Sequence, residues 1–92
     1  MAGKLEAIRT QLVERCHSAL LQGLLDELRL RRVLDALEVE HINENQPQRA
    51  NKCRTMIDTV IKKGDASCNI LLQIIIEKDP ALSEHLGIPG AL

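Results

Sequence analysis

The chain of 92 residues and 10.3 kDa has room for one domain, since independent domains usually occupy about 100 to 150 residues, and this excludes a multidomain enzyme. Its 45% apolar and 27% charged residues exclude a disordered or collagen-like chain, and the absence of Phe, Tyr and Trp leaves a core of aliphatic residues, Met and Cys. Twelve Lys and Arg against thirteen Asp and Glu give a formal charge of −1, which offers little support for nonspecific attraction to nucleic acid or an anionic membrane.

From Lys4 to Cys16 the apolar residues Leu5, Ile8, Leu12, Val13 and Cys16 recur at helical spacing and predict a first amphipathic helix. His17 and Ser18 interrupt it. A second apolar series, Leu21, Leu24, Leu25 and Leu28, predicts a second helix in which Gly23 lowers local propensity and favours a kink. Asp35-Ala36-Leu37-Glu38 has the form of a capping box and opens a short third helix, with Val39 and Ile42 turned inward and Glu38, Glu40 and Glu44 in solvent. Asn43 to Pro47 reads as a polar turn, with Pro47 suited to the first turn of the next helix. That fourth helix carries Ala50, Cys53, Ile57, Val60 and Ile61 on one face and basic residues on the other, and stops at Lys62-Lys63-Gly64. Asp65 is expected to cap a fifth helix whose stretch ASCNILLQIII has no charge, which predicts burial on most sides. Asp79-Pro80 supplies an N-cap and N1 proline for a short sixth helix holding Leu82 and Leu86, ended by Gly87.

Six short helices with tight connections and no alternating strand pattern predict an all-α bundle, one domain over residues 1–92 with a helical core of about 4–88. Cys16, Cys53 and Cys68 are odd in number and lack CxxC spacing, so neither a disulfide framework nor a zinc site is expected and a reducing, cytoplasmic setting is. Cys16 beside His17 is not a catalytic pair, because adjacent helical side chains project about 100° apart. No metal or cofactor is expected. The amino terminus shows no apolar export segment and no myristoylation glycine, and the run Ile70 to Ile76 is too short to span a bilayer.

LLDELRLRRVL (Leu24 to Leu34), RANKCRTMIDTVIKKG (Arg49 to Gly64) and EKDPALSEHLGI (Glu77 to Ile88) together resemble the caspase recruitment domain, CARD, of the death-fold superfamily. The resemblance covers nearly the whole chain and is nearest to prodomains of inflammatory caspases and their CARD-only relatives. It implies a six-helix antiparallel Greek-key bundle that binds other CARDs, often assembles into filaments, and does no chemistry. The missing aromatics and the basic Arg29, Arg31 and Arg32 depart from the inflammatory prodomain pattern.

Charge is segregated along the chain: residues 47–63 are strongly positive and residues 20–45 negative. If the first and fourth helices adjoin, as the resemblance implies, they form a basic face, and the second and third form an acidic one. By resemblance Arg9, Arg54 and Asp58 match charged positions on the basic side and Asp26 an acidic contact position. Helical proximity adds Arg15 and Lys52 to the first group and Glu27 to the second, and Asp35, Glu38 and Glu40 complete the acidic face expected of the second and third helices. Lys62, Lys63 and Gly64 are either a second contact corner or an ordinary helix end with a glycine cap. The same charges also suit plain solvated helix faces.

The leading expectation is a homotypic CARD–CARD interaction module that recruits or regulates inflammatory caspases through oligomers or filaments. A free-standing decoy that damps such assembly is the alternative within that class. A helical DNA-binding domain rests on Arg29, Arg31 and Arg32 alone, against a pI of about 6.3 and interleaved acids. An enzyme lacks a phosphate loop, a metal cluster and a nucleophile with its base. Partners are therefore expected to be CARD-containing proteins and further copies of the chain, with neither nucleic acid nor membrane.

Overall fold

A computed structural model describes residues 2–45 and 48–88. Six helices follow in order: α1 (Ala2–Arg15), α2 (Ser18–Leu30), α3 (Ala36–Asn45), α4 (Arg49–Lys62), α5 (Asp65–Lys78) and α6 (Pro80–His85), with no strand among the described residues. The principal packing partners distant in sequence are α1 with α4 and α2 with α5, the order of a Greek-key bundle. α5 touches α1, α2, α4 and α6 and is the central helix, as its uncharged stretch requires.

The apolar stripes explain the packing. Leu5, Leu12, Leu24, Leu25, Leu71 and Leu72 are fully buried, and each such side chain stabilises the fold by about 1.5–3 kcal/mol. The stripe of α4 is buried at Cys53, Ile57 and Val60, with Met56 joining it and Ala50 and Ile61 packed at its edge.

Helix ends follow local chemistry. Asp35 and Glu38 form the expected capping box: Asp35 Oδ1 accepts from the Glu38 amide at 2.8 Å, and Glu38 Oε1 accepts from the Asp35 amide at 3.0 Å. Asp79 Oδ1 accepts from the Leu82 amide at 3.0 Å ahead of Pro80, and Gly87 leaves α6 at φ +72°. α2 ends in a Schellman motif. The Val33 amide donates to the Leu28 carbonyl at 2.8 Å and the Arg32 amide to Arg29 at 3.0 Å, with Arg32 at φ +62°.

Four expectations change. α1 starts at Ala2 rather than Lys4 and ends at Arg15, although the Cys16 amide still reaches the Leu12 carbonyl at 2.8 Å. α2 runs through Gly23 as one helix, with the Lys78 stem lying over the glycine. α3 continues through Asn43, Glu44 and Asn45 because the capping box fixes its start and nothing before Asn45 breaks it; the expected roles of Gln46 and Pro47 lie outside the described residues. Gly64, not Asp65, is the N-cap of α5, since only glycine sits readily at φ +104°; Asp65 becomes the first helical residue and favours the positive end of the helix dipole.

Candidate protein-interaction faces

α1 and α4 pack side by side, and Arg9, Asp58 and Arg49 are used between them. Arg9 grips Asp58 through two hydrogen bonds, Nε to Oδ1 and Nη2 to Oδ2, each 2.9 Å, and this contact raises the guanidinium pKa further. The half-exposed pair stabilises the seam by no more than about 1 kcal/mol. Arg49 turns away from any outer face: its Nη1 donates to the Val13 and Cys16 carbonyls at 2.6 Å and so caps the end of α1. Arg54 remains exposed, held among the described residues only by the neutral Asn51 Oδ1 at 2.8 Å. It borders a groove shared with Arg9, Thr10, Val13 and Glu14. Arg15 is exposed and Lys52 half-buried, and neither forms an ion pair with a described residue.

A second surface is built by α2 and α3. Glu27 accepts from Arg31 Nε at 3.2 Å, one helical turn on, and Arg31 also pairs with Glu77 of α5, contacts that raise its own pKa. Asp35 and Glu38 are spent on the capping box, and Glu38 further accepts from Lys63 Nζ at 2.8 Å. Asp26 and Glu40 stay exposed without an ion-pair partner among the described residues. Each face is therefore narrower than its segment charge, Asp26 and Glu40 on one side and Arg15, Lys52 and Arg54 on the other, because a charge sum ignores which residues pair inside one molecule. The acidic side is also interleaved with exposed Arg29 and Arg32, so it is mixed rather than uniformly acidic.

The α4–α5 corner shows its local role plainly. Lys63 is tied to Glu38, Lys62 is exposed in the last turn, and Gly64 supplies the positive φ between the helices. The three cysteines are wholly buried. Contact with Cys16 and burial push the Cys53 thiol far above its ordinary range, burial raises Cys68, and Cys68 Sγ donates to the Val60 carbonyl at 3.8 Å. His17 is the N-cap of α2, its Nδ1 accepting from the Leu20 amide at 3.2 Å, and the Cys16 thiol donates to the His17 backbone carbonyl at 4.0 Å rather than to the ring. Among the described residues no group of His, Cys, Asp or Glu is arranged to hold a metal ion. No helix among the described residues is long and apolar enough to cross a membrane.

Sequence reasoning missed three features. Arg49 reads as one more basic residue of α4 until the end of α1 is seen beneath it. His17 reads as an interruption, where Ser18 is the more familiar capping type. Leu30 and Leu37 are 76% and 75% exposed, and the signal for both is register: each lies off the apolar stripe of its own helix.

The described residues form a small six-helix bundle whose outer helix faces carry charges of both signs. The family model described as "Caspase recruitment domain" matches residues 3–88, and the chain belongs to that family, whose domains bind one another homotypically. It is 40% identical over 88 residues to Caspase-1-B of Xenopus laevis, covering 96% of this chain and 23% of that protein. It is 42% identical over 72 residues to Caspase recruitment domain-containing protein 16 of Homo sapiens, covering 78% of this chain and 36% of that protein. With the Putative caspase recruitment domain-containing protein 17P of Homo sapiens it shares 35% identity over 89 residues, 96% of this chain and 81% of that one. The chain thus spans about a quarter of the caspase-1 relatives it matches. No solved structure gave a significant match.

Proposed function

We propose that this CARD recruits or regulates inflammatory caspases in the cytoplasm by heterologous contact, the Asp26 and Glu40 side of one domain docking on the Arg54 side of the next. The observation that carries the proposal is the pairing pattern. After intramolecular partners are assigned, Asp26 and Arg54 remain as exposed, opposite charges on different helix pairs, neither held by an opposite charge among the described residues. A contact between two different patches continues as an open helix when its rotation does not close, and complementary charge sets its partner choice and on-rate. Proximity of whatever is attached to each domain then produces the signal, and a copy with nothing attached damps it.

Light scattering and negative-stain microscopy over a concentration series test this. Asp26→Arg and Arg54→Glu each abolish assembly with helicity intact, and an equimolar mixture restores it because the reversed pair meets across the contact. Assembly of each variant like the wild type at physiological salt overturns the choice of faces. A wild type that stays monomeric but co-assembles with an inflammatory caspase prodomain keeps the faces and makes the partner heterotypic.

A further inference from the structure

The side that carries Asp26 and the side that carries Arg54 each also hold charge of the other sign. Asp26 shares a groove with Arg29, Leu30 and Arg32, all four exposed. Asp26, Arg29 and Leu30 fall at spacings of three and four on α2 and so lie on one face of the helix. Arg54 shares its groove with Arg9, Thr10 and Glu14, and the buried Val13 is part of the lining. Arg9 is committed to Asp58, which leaves Arg54 and the exposed Glu14 as the charges of that groove without an ion-pair partner among the described residues. Arg29 and Arg32 likewise form no ion pair with a described residue. The carboxylates that share a second groove with these two arginines, Asp35 and Glu38, are taken by the capping box and by Lys63. Arg32 adds an observation of a different kind. Its backbone stands at φ +62°, and no side-chain hydrogen bond or ion pair to a described residue offsets that strain within the molecule.

We propose that this chain docks on a second copy of itself through crossed charges: as Asp26 of one copy meets Arg54 of the next, Arg29 and Arg32 of the first meet Glu14 of the next, and Leu30 seats against Val13. The proposal rests on the faces assigned under Proposed function and adds what selects the partner. Each groove offers an acid, a base and an apolar residue, so the two match in sign at both pairs. Leu30, 76% exposed in the single domain, loses its contact with water in the same step. A partner whose docking side is basic throughout sets like charge against Arg29 and Arg32, which costs affinity and slows encounter. Glu14, Arg29 and Arg32 are therefore specificity-determining residues that favour a second copy of this chain over a uniformly basic CARD.

Charge reversals at these positions separate the crossed contact from a plain basic-on-acidic one by sign. Glu14→Arg makes the Arg54 side more basic, and Arg29→Glu with Arg32→Glu makes the Asp26 side more acidic. If each side acted through one sign alone, both changes would favour assembly. The crossed contact gives the reverse: in light scattering of the whole chain over a concentration series, each raises the concentration at which assembly begins by at least about tenfold. An equimolar mixture of the two returns it close to the wild-type value, because each variant offers the other the sign it lacks. Arg32→Gly relieves the left-handed backbone, yet raises the onset about two- to fivefold, a loss that weaker folding does not explain. Leu30→Ser also raises the onset without changing charge. Glu14→Arg assembling as readily as the wild type, or more so, overturns the proposal, as does a wild type that is monomeric at every concentration. The two readings fail separately. Assembly lost in Asp26→Arg but kept in Glu14→Arg leaves the faces and refutes the crossed pairs, whereas wild-type assembly by Asp26→Arg and Arg54→Glu refutes the faces and the crossed pairs with them.

Discussion

Arg32 and Gly64 hold the same unusual backbone sign with opposite side-chain logic. At φ +62° Arg32 bears the cost of about 1–2 kcal/mol that an L side chain incurs in the left-handed region. Glycine there relieves it but adds about 0.5–1 kcal/mol of chain entropy to be lost on folding, so Arg32→Gly raises stability by about 0.5 kcal/mol in urea unfolding. Gly64→Ala has the opposite sign, a loss of about 1–3 kcal/mol in the same measurement, because alanine is strained at φ +104° although the space around it is open. The capping box at Asp35 and Glu38 was legible from spacing because both partners lie within four residues. The cap at His17 was not, since a ring nitrogen replaces the usual hydroxyl or carboxylate, and the strain at Arg32 was not, since no residue type announces it.

Among elements, burial separates residues of identical chemistry. Leu72 of α5 is fully buried and Leu37 of α3 is not, so Leu72→Ala costs about 2–5 kcal/mol while Leu37→Ala changes folding stability by less than about 0.5 kcal/mol, both read from denaturant midpoints at constant m-value. Arg49→Ala removes charged hydrogen bonds to the Val13 and Cys16 carbonyls, and a loss of about 1.5–3 kcal/mol is expected, larger than its half-buried position on α4 suggests. Periodicity exposed α1, α2 and α4, each of which has a stripe to bury, while the capping signals marked α3 and α6 and the uncharged stretch marked α5. It blurred the ends where polar residues continue a helix: Asn43 to Asn45 have turn-forming types, yet α3 is already nucleated upstream and carries through them.

For the whole molecule, one contiguous core makes the three thiols reporters of global opening. Cys16, Cys53 and Cys68 all belong to it and are fully buried, so a disulfide-exchange reagent labels them together at the rate of global unfolding; fast labelling of one in the native protein would show that the core opens locally. The candidate faces were only half legible for a reason of the same scale. Sequence distinguishes charged segments, but the bundle brings Arg9 to Asp58, Arg31 to Glu77 and Lys63 to Glu38 across 49, 46 and 25 positions, cancelling charges that segment sums count as available.

The core without rings also makes this domain optically dark. With no Trp, Tyr or Phe, it contributes neither near-ultraviolet aromatic absorption nor intrinsic emission, so any such signal in a mixture belongs entirely to the partner. A single Leu37→Trp replacement on the exposed stripe of α3 would then be the only emitter in the chain, reporting burial of that stripe against no background from the fold itself.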